Sequence, residues 1–335
     1  MKIKTRMDFL NNESGEHSSG RDEDASEKKV IYIENARLET AREQIESNAL
    51  LASGTQWADQ NLGELLVGLG KLGKEDVERV IKHQRDKGLY FGEAAVDLRL
   101  VDDADVLHAL SIQFGYTYNK NEESLSKEVA MAYSPFGEQA EEFRAIRSQL
   151  LNSWLQPNRK TLAVVSPENA EGRSYVAANL ALAFSQLGRS TLLIDADMRA
   201  PRQHEIFNFT RKIGLSMLLA GRIRMEELDV LPDQLSNFQH LSILGCGAVP
   251  PNPAELLSKN TFALIIRELK KFFDIIIIDS PPAIYQADVA AIASVSGSAL
   301  LVARGGCSKM DGVKDLISVL TRAKAAVVGS VLNQF

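Results

Sequence analysis

The sequence predicts an α/β protein in which a small helical repeat domain precedes a doubly wound parallel sheet. Five short aliphatic runs recur through the second half of the chain without polar alternation, and helix-forming segments separate them. Strands that are apolar on both faces are typical of parallel sheets covered by helices on both sides. A 29-residue spacing relates two similar segments within residues 58–120, which predicts the repeat domain.

Composition and charge limit the function classes. The 335 residues suffice for about two domains. A formal net charge of −6 argues against a general binder of nucleic acid or anionic membranes. The only two cysteines, Cys246 and Cys307, form no CxxC pair, which excludes a cysteine-based zinc site; we expect both to be buried. No apolar run approaches about 20 residues and the N-terminus is charged, so we expect a cytosolic protein without a membrane span or signal peptide.

The first element of defined structure is the repeat. Residues 1–57 are expected to form a disordered or weakly helical tail, because mixed charges there accompany little apolar periodicity. Leu62–Val67 then reappears as Phe91–Val96, and each copy continues through an acidic turn into an apolar-periodic helix that ends at Gln84 or Gln113. One such helix pair is too small to bury its apolar face, whereas two pairs together form a compact domain.

This repeat resembles the N-terminal domain of type II secretion and pilus-assembly ATPases. Some of those domains bind cyclic di-GMP through paired Arg-Leu-Gly motifs, so the resemblance implies the same ligand here. Asn61 and Tyr90 stand where those arginines would stack on and hydrogen-bond to guanine. Their presence argues against cyclic di-GMP binding and favours plain protein-interaction packing, and both interpretations stay open.

The loop after the first predicted strand, Leu162–Val165, carries a phosphate-binding pattern. In a P-loop, backbone N–H groups and a helix N-terminus bind phosphates, a lysine reaches the β/γ oxygens and a hydroxyl binds magnesium. Gly172, Arg173 and Ser174 parallel the Gly-Lys-Ser/Thr that ends such a loop. Arg173 replaces the lysine, and Pro167 replaces the first glycine. An ordinary strand–loop–helix turn is the alternative.

Acidic residues end the next strands. Asp195 and Asp197 follow the strand at 191–194, and Asp279 follows the strand at 275–278. Side chains two residues apart on a strand point the same way, which suits a cation site. An aspartate at the tip of a buried strand is what a Walker B site uses to orient magnesium. Helix capping explains any one of these aspartates, but three strand ends in agreement favour a magnesium–nucleotide site.

A domain that we place at residues 133–335 resembles the cytoplasmic catalytic domain of bacterial tyrosine kinases of the polysaccharide chain-length-determinant system. The motifs that match are a Glu-x-x-Arg-x-x-Arg helix, an Asp-x-Asp-x-Arg-x-Pro element, a Pro-Pro-Asn-Pro stretch and a Val-Leu-Asn segment, which begin at Glu141, Asp195, Pro250 and Val331. Together with the secretion-ATPase-like domain, they resemble the free-standing exopolysaccharide kinases of exosortase-associated gene clusters.

The resemblance implies an ATP- and Mg²⁺-dependent protein-tyrosine kinase that regulates exopolysaccharide chain length, polymerisation and export. Asp195 would accept or orient the tyrosine proton, while Arg173 and Arg199 would neutralise the transferring charge. Magnesium would be supported by Ser174 and Asp197 and, through water, by Asp279. The nucleotide would be bound by residues at the loop and at the last strand, namely Ala170, Glu171, Gly172, Arg173, Ser174, Tyr175 and Asn333.

The resemblance also implies partners. Glu141, Arg144 and Arg147 lie on one side of a helix and would join copies of the chain into a ring; a solvated helix face is the alternative. The kinase would dock on the cytoplasmic tail of a separate membrane chain-length-determinant protein and so lie at the inner face of the membrane. No nucleic-acid partner is expected.

Two departures from the family pattern leave the function open. The last tyrosine is Tyr285, so the usual tyrosine-rich tail is missing and the acceptor would be another tyrosine, such as Tyr116, Tyr118 or Tyr133, or a partner residue. Arg173 keeps the positive charge but is longer and planar, which supports nucleotide binding better than phosphotransfer. The rival hypothesis is a nucleotide-binding adaptor of the export complex without catalysis. A partitioning ATPase ranks last.

Overall fold

The computed structural model describes residues 2–6, 61–113, 125–210, 213–225, 238 and 240–334. The repeat consists of four helices: α1 (Leu62–Gly68), α2 (Lys74–Lys87), α3 (Phe91–Asp97) and α4 (Asp103–Gln113). Their apolar faces share one core that includes the fully buried Leu65, Leu66 and Val80. The helix α2 ends three residues beyond the predicted Gln84, because Gly88 there supplies a left-handed C-cap.

The two residues that replace arginine in the repeat both cap helices. Asn61 precedes α1, and its side-chain oxygen accepts a hydrogen bond from the Glu64 N–H at 2.9 Å. Tyr90 precedes α3 with 80% of its surface exposed, and its N–H donates to the Glu93 carboxylate at 2.9 Å. These positions therefore serve the helix starts, and cyclic di-GMP as a ligand remains an untested prediction.

An ion cluster joins the two copies of the repeat. The Asp97 carboxylate, at the end of α3, lies 2.8 Å from Lys87 Nζ and 2.6 Å from His83 Nε2, both on α2. The hydrogen bonds from Lys87 and then His83 lower the pKa of Asp97 to about 2. The ionised carboxylate is therefore preferred in the folded repeat.

We expect Asp97→Asn to destabilise the repeat at neutral pH. Because the folded-state pKa lies below the ordinary 3.8, this stabilisation is present above pH ~4 and is lost as the pH falls toward 2. Thermal unfolding of the full chain by circular dichroism, at pH 7 and at pH 3, measures the difference from wild type. Asp86→Asn, an exposed change on the same α2, is the control. Equal unfolding of both variants at pH 7 would disprove the role of the cluster.

The remaining described residues surround one seven-stranded sheet with the order β1-β7-β6-β2-β5-β3-β4. Its strands are β1 (Lys2–Arg6), β2 (Thr161–Val165), β3 (Thr191–Asp195), β4 (Leu241–Leu244), β5 (Ile275–Asp279), β6 (Ser298–Arg304) and β7 (Ala326–Gln334). The six strands from β2 onward run parallel, whereas β1 pairs antiparallel with β7. All five predicted strands and the doubly wound α/β class are confirmed.

Two strands differ from the sequence prediction. The expected disordered tail is wrong for Lys2–Arg6, which forms the edge strand β1 because the unpaired backbone of β7 accepts it in register with Ser330–Gln334. The rest of the predicted tail lies outside the described residues. The strand β4 was not predicted, since its four residues include a serine and give too short an apolar run.

Helices cover both faces of the sheet. They are α5 (Ala130–Tyr133), α6 (Glu138–Ser153), α7 (Arg173–Ser185), α8 (Gln203–Ile206), α9 (Leu215–Leu219), α10 (Pro253–Leu257), α11 (Asn260–Leu269), α12 (Gln286–Ser296) and α13 (Met310–Arg322). Leu162 and Val164 of β2 pack in the core layer of α6 and α7, whereas Ala163 and Val165 pack in the layer of α11, α12 and α13. Because β2, β3 and β5 run parallel, their carboxyl ends lie at the same edge of the sheet, between the two helical layers.

Two further predictions are decided by burial. Cys246 is buried as expected, but Cys307 is exposed, because it lies in the turn after β6 and not in a strand.

Within the part of the chain that the structure describes, no helix is both long enough and apolar enough to cross a membrane.

Candidate active site

The loop between β2 and α7 presents the start of a helix to an open cavity. Gly172 adopts φ 93° and is the N-cap of α7, and Ala170 adopts φ 58°, a region that residues with a Cβ seldom enter. No side chain caps α7, so the N–H groups of its first turn keep no side-chain acceptor. Such N–H groups, with the positive end of the helix dipole, form a phosphate site.

Arg173, the first residue of α7, is buried and turned back into the loop. Its Nε donates to the Ser280 carbonyl at 2.8 Å, and its Nη1 donates to Ser166 Oγ at 2.6 Å and to the Glu168 carbonyl at 2.9 Å. Its Nη2 lies 3.6 Å from Asp197 Oδ2. The guanidinium therefore fastens the loop to the ends of β3 and β5 and places one positive charge among the aspartates.

Two buried carboxylates stand side by side at the strand ends. Asp195 of β3 is in register with Asp279 of β5, and both residues are fully buried. One oxygen of each, Oδ1, has no hydrogen-bond partner among the described residues. Burial and then the charge of Asp279 raise the pKa of Asp195 well above its ordinary value. Burial raises the pKa of Asp279 to about 6, against the opposing effect of Arg173.

Gln203 of α8 links these carboxylates, and sequence analysis missed it. Its backbone N–H donates to Asp195 Oδ2 at 3.0 Å, and its Nε2 donates to Asp279 Oδ2 at 2.8 Å and to the Ser174 carbonyl at 3.1 Å. The residue is fully buried. A glutamine next to a recognised motif carries no signal of its own, because its partners come from three separate elements. The contacts leave Asp195 Oδ1 and Asp279 Oδ1 as the carboxylate oxygens for a ligand.

Asp197 and Arg199 follow β3 in a tight turn. Asp197 Oδ1 accepts the N–H groups of Arg199 at 3.1 Å and Ala200 at 2.9 Å. The Arg199 guanidinium binds the buried Asp288 through two hydrogen bonds of 2.7 and 3.2 Å and lies 4.0 Å from the centre of the Tyr285 ring. The Asp288 hydrogen bonds raise the pKa of Arg199. The positive charge of Arg199, which was predicted to neutralise the transferring phosphate, is thus paired with Asp288. The catalytic role of Arg199 stays a prediction.

Two other residues predicted to bind nucleotide, Glu171 in the loop and Asn333 on β7, contact each other. Glu171 is buried; its carboxylate accepts the Glu168 N–H at 2.8 Å and the Ser308 hydroxyl, and its carbonyl accepts Asn333 Nδ2 at 3.2 Å. Asn333 is fully buried, and its Oδ1 has no partner within the described chain. These contacts tie the loop to β7 and leave Asn333 with its Oδ1 and one Nδ2 hydrogen not engaged by the described residues.

Tyr175 contributes to the site through its position and not its hydroxyl. Its ring packs 5.5 Å from the Phe143 ring in the core, and burial raises the pKa of Tyr175 to about 12. The residue lies in the first turn of α7, so its backbone N–H faces the loop while its side chain supports the helix. Its nucleotide contact stays a prediction, and the buried hydroxyl argues for the backbone N–H as the contacting group.

A cavity of 720 Å³ opens beside the loop, a size typical of ligand pockets. The residues from Ala170 to Tyr175 and Asp197 form one wall. The segment Ser126–Glu128 and Arg202 form another, where Arg202 Nη2 bonds to Glu128 Oε1 at 2.7 Å. Asn333 is not part of the lining. The cavity therefore exposes the phosphate end of the site, with a charged wall facing it.

The residues fit a magnesium–nucleotide complex better than a metal held by protein alone. Within the described part of the chain, no group of three or more His, Cys, Asp or Glu side chains forms a metal cage. Mg²⁺ usually takes one or two carboxylates and completes its shell with water and phosphates. Ser174 and Asp197 line the cavity, and the buried Asp279 lies behind Ser174, so these three residues are the set that would hold the cation or its water.

The helix predicted to join subunits is held inside its own chain. On α6, Arg144 donates to Glu141 Oε1 at 2.6 Å and to the Pro135 carbonyl, and Arg147 donates to the Ala183 carbonyl at 2.8 Å. Both arginines are buried, so the solvated-face alternative is wrong for them. A role in assembly remains a prediction that depends mainly on the exposed Glu141.

A parallel sheet with a phosphate loop after β2 and aspartates at the ends of β3 and β5 defines a P-loop nucleotide-binding protein.

No model of a known protein family matches the chain. It is 35% identical over 195 residues to the putative tyrosine-protein kinase CapB of Staphylococcus aureus, covering 58% of this chain and 84% of that protein. It is 32% identical over 209 residues to the tyrosine-protein kinase YwqD of Bacillus subtilis, covering 62% and 86%.

Solved structures agree. The kinase domain of the Escherichia coli tyrosine kinase ETK superposes with a TM-score of 0.59 at 26% identity, covering 64% of this chain and 82% of that domain. The chain belongs to the bacterial tyrosine-protein kinase family.

Proposed function

We propose that this protein is an ATP- and Mg²⁺-dependent protein-tyrosine kinase that acts in exopolysaccharide synthesis. One observation carries the proposal: Asp195 and Asp279 lie in register beside an uncapped phosphate loop, each with one unpartnered carboxylate oxygen. The relatives are named tyrosine-protein kinases, and the role in exopolysaccharide synthesis is the one that the motif resemblance of residues 133–335 implies.

The loop would bind the phosphates of ATP. The N–H groups at the start of α7 and the left-handed turn at Gly172 would receive the phosphate oxygens. Ser174, Asp197 and Asp279 would hold magnesium, which when bound neutralises charge between the β- and γ-phosphates. The two adjacent carboxylates at the ends of β3 and β5 are costly to ionise together without a cation. The site therefore favours a dication over an empty state.

Asp195 would receive the acceptor tyrosine. Gln203 fixes its Oδ2 through a backbone N–H, and its Oδ1 has no hydrogen-bond partner among the described residues. Burial, which raises the pKa of Asp195, makes its ionised carboxylate a stronger proton acceptor than that of an exposed aspartate. We therefore assign Asp195 Oδ1 as the atom that orients the tyrosine hydroxyl and takes its proton as the hydroxyl attacks the γ-phosphate.

Arg173 would act differently from a P-loop lysine. Its four contacts hold the loop and pair with Asp197, so it can reach phosphate only by exchanging some of them. The same contacts favour a second candidate function, a nucleotide-binding adaptor in which Arg173 only maintains the loop. Phosphotransfer by the purified chain separates the two functions.

We expect the double change Asp197→Ala and Asp279→Ala to remove the magnesium dependence of ATP binding. The alanines delete both carboxylates assigned to the cation, whereas the backbone N–H groups that hold phosphate remain. Isothermal titration calorimetry with ATP, in excess Mg²⁺ and in EDTA, measures the effect. Asp311→Asn, an exposed change at the start of α13, is the control. A double variant that binds Mg–ATP as tightly as wild type would refute the metal assignment.

Assembly and location follow from the same proposal. The kinase would dock on the cytoplasmic tail of a membrane chain-length-determinant protein and associate with the inner face of the membrane through it. Copies would associate through the exposed Glu141 on α6, and sedimentation velocity at low salt tests that association directly. Cyclic di-GMP as a ligand of the repeat is not part of the proposal, because Asn61 and Tyr90 stand where the ligand-binding arginines would be and supply no guanidinium.

A further inference from the structure

The described kinase region offers few tyrosines that could accept phosphate. Tyr133 donates its hydroxyl to the Leu125 carbonyl at 2.7 Å, and the buried Tyr175 hydroxyl lies within the core. Tyr285 is half-buried, and its hydroxyl is neither buried nor hydrogen-bonded within the described chain. Among the described tyrosines of the sheet domain, Tyr285 therefore presents the accessible nucleophile.

Tyr285 lies on an exposed segment between β5 and α12. The preceding Ile284 is 57% exposed, and the two residues after Tyr285 are exposed as well. The segment starts from the end of β5, where the Ala283 N–H donates to the Ser166 carbonyl at 2.9 Å. An exposed segment that carries a tyrosine next to an apolar residue can enter the cavity of a kinase.

The surroundings of Tyr285 suit a phosphorylated ring. The Arg199 guanidinium lies 4.0 Å from the ring centre and is held there by the buried Asp288. A phosphate adds a charge of about −1.5 to −2 and three strong acceptor oxygens. Arginine is the side chain best shaped to bind it. Arg199 Nε and Nη2 are already bound to Asp288, so Nη1 is the group that would turn to the phosphate.

Backbone hydrogen bonds hold Tyr285 in a turn at the start of α12. The Tyr285 N–H donates to the Pro282 carbonyl at 3.0 Å, and its carbonyl accepts the N–H groups of Asp288 at 3.1 Å and Val289 at 3.2 Å. The ring is stacked on Arg199. The backbone of Tyr285 is thus fixed in a short turn, and its exposed hydroxyl faces solvent, from which a second copy of the chain would approach it.

We propose that Tyr285 is a phosphoacceptor of this kinase, modified in trans by a second copy of the chain; the inference rests on the proposed kinase function and names its acceptor. The Tyr285 Oη attacks the γ-phosphorus of ATP bound to the second copy. A bond forms between Oη and phosphorus, and the bond from phosphorus to the β,γ-bridging oxygen breaks. ADP leaves with that oxygen, and the hydroxyl proton passes to Asp195 of the second copy.

The experiment mixes two full-length forms with Mg–ATP. The tagged form carries Asp195→Asn and serves only as acceptor, and the untagged form is wild type. A glutamate–tyrosine copolymer in the same reaction reports kinase activity independently. The tagged chain is recovered, and its phosphotyrosines are mapped by mass spectrometry. Tyr285→Phe, which keeps the ring under Arg199, and Tyr90→Phe, which removes an exposed tyrosine elsewhere, are tested in the tagged form.

We expect phosphate on Tyr285 of the tagged chain, its loss in Tyr285→Phe, and unchanged labelling at Tyr285 in Tyr90→Phe. Labelled copolymer with no phosphate on Tyr285 would overturn the inference while the kinase function stands. Phosphate confined to Tyr116, Tyr118 or Tyr133 would overturn it in the same way. No label on copolymer or chain would overturn both the inference and the proposed function.

Discussion

Replacing Asp195 with asparagine is expected to slow phosphotransfer to tyrosine by about 10²–10⁴-fold, the usual contribution of a positioned general base. The change keeps the shape of the side chain, and its oxygen can still accept the Gln203 N–H. It removes the atom that takes the tyrosine proton. Nucleotide binding should change little, because the assigned phosphate and magnesium contacts come from the loop, Asp197 and Asp279.

Stability separates this loss from unfolding. Asparagine at 195 relieves the repulsion between two adjacent buried carboxylates, so the variant should unfold at a temperature no lower than that of wild type. Asp274→Asn, at the opposite end of β5, is the matched control and should transfer phosphate normally. A fully active Asp195→Asn variant with normal unfolding would contradict the assignment of the base.

Replacing Arg173 with alanine is expected to abolish phosphotransfer and to weaken the fold as well. The change leaves Asp197 and the Ser280 carbonyl buried without their partner. Breaking a buried ion pair by removing one member typically costs about 3–5 kcal/mol of unfolding free energy. Nucleotide binding should fall only modestly, since the N–H groups of α7 remain.

Arg173→Lys separates catalysis from loop maintenance. Lysine keeps the charge as a compact donor and is the residue that related loops use at the phosphates. If Arg173 neutralises transferring charge, the lysine variant should retain or raise activity, measured as phosphotyrosine formed with a membrane partner or copolymer present. If wild type and both variants transfer no phosphate yet bind nucleotide, the adaptor function is correct.

The strands and the phosphate loop could be predicted because their signals are local. Four consecutive isoleucines, Ile275–Ile278, predict a strand buried on both faces, and the aspartate that follows them must lie at the sheet edge. Whether Asp195 lies beside Asp279 depends on the register between β3 and β5. That register is set by the twist and order of strands that are distant in sequence. The sequence could therefore place these residues at one edge but could not show that their carboxylates adjoin.

Other contacts were beyond sequence reasoning for the same physical reason. Gln203 holds the site together through hydrogen bonds to partners on β3, β5 and α7. Arg147 can be buried because it donates a hydrogen bond to the carbonyl of Ala183, 36 positions away in the sequence. Charge at helical spacing predicted an exposed face, but a guanidinium can be buried where backbone carbonyls receive it. The strand at Lys2–Arg6 likewise forms only because β7 presents an edge.

We expect this chain to transfer phosphate from Mg–ATP to a tyrosine whose proton Asp195 takes. The most direct measurement incubates the purified full-length chain and its Asp195→Asn variant with γ-labelled ATP and a glutamate–tyrosine copolymer, with Mg²⁺ or with EDTA, followed by phosphoamino-acid analysis. We predict labelled phosphotyrosine only for the wild-type chain with Mg²⁺. Labelling that survives EDTA or Asp195→Asn, or wild-type protein that binds Mg–ATP and labels no tyrosine, would contradict the account.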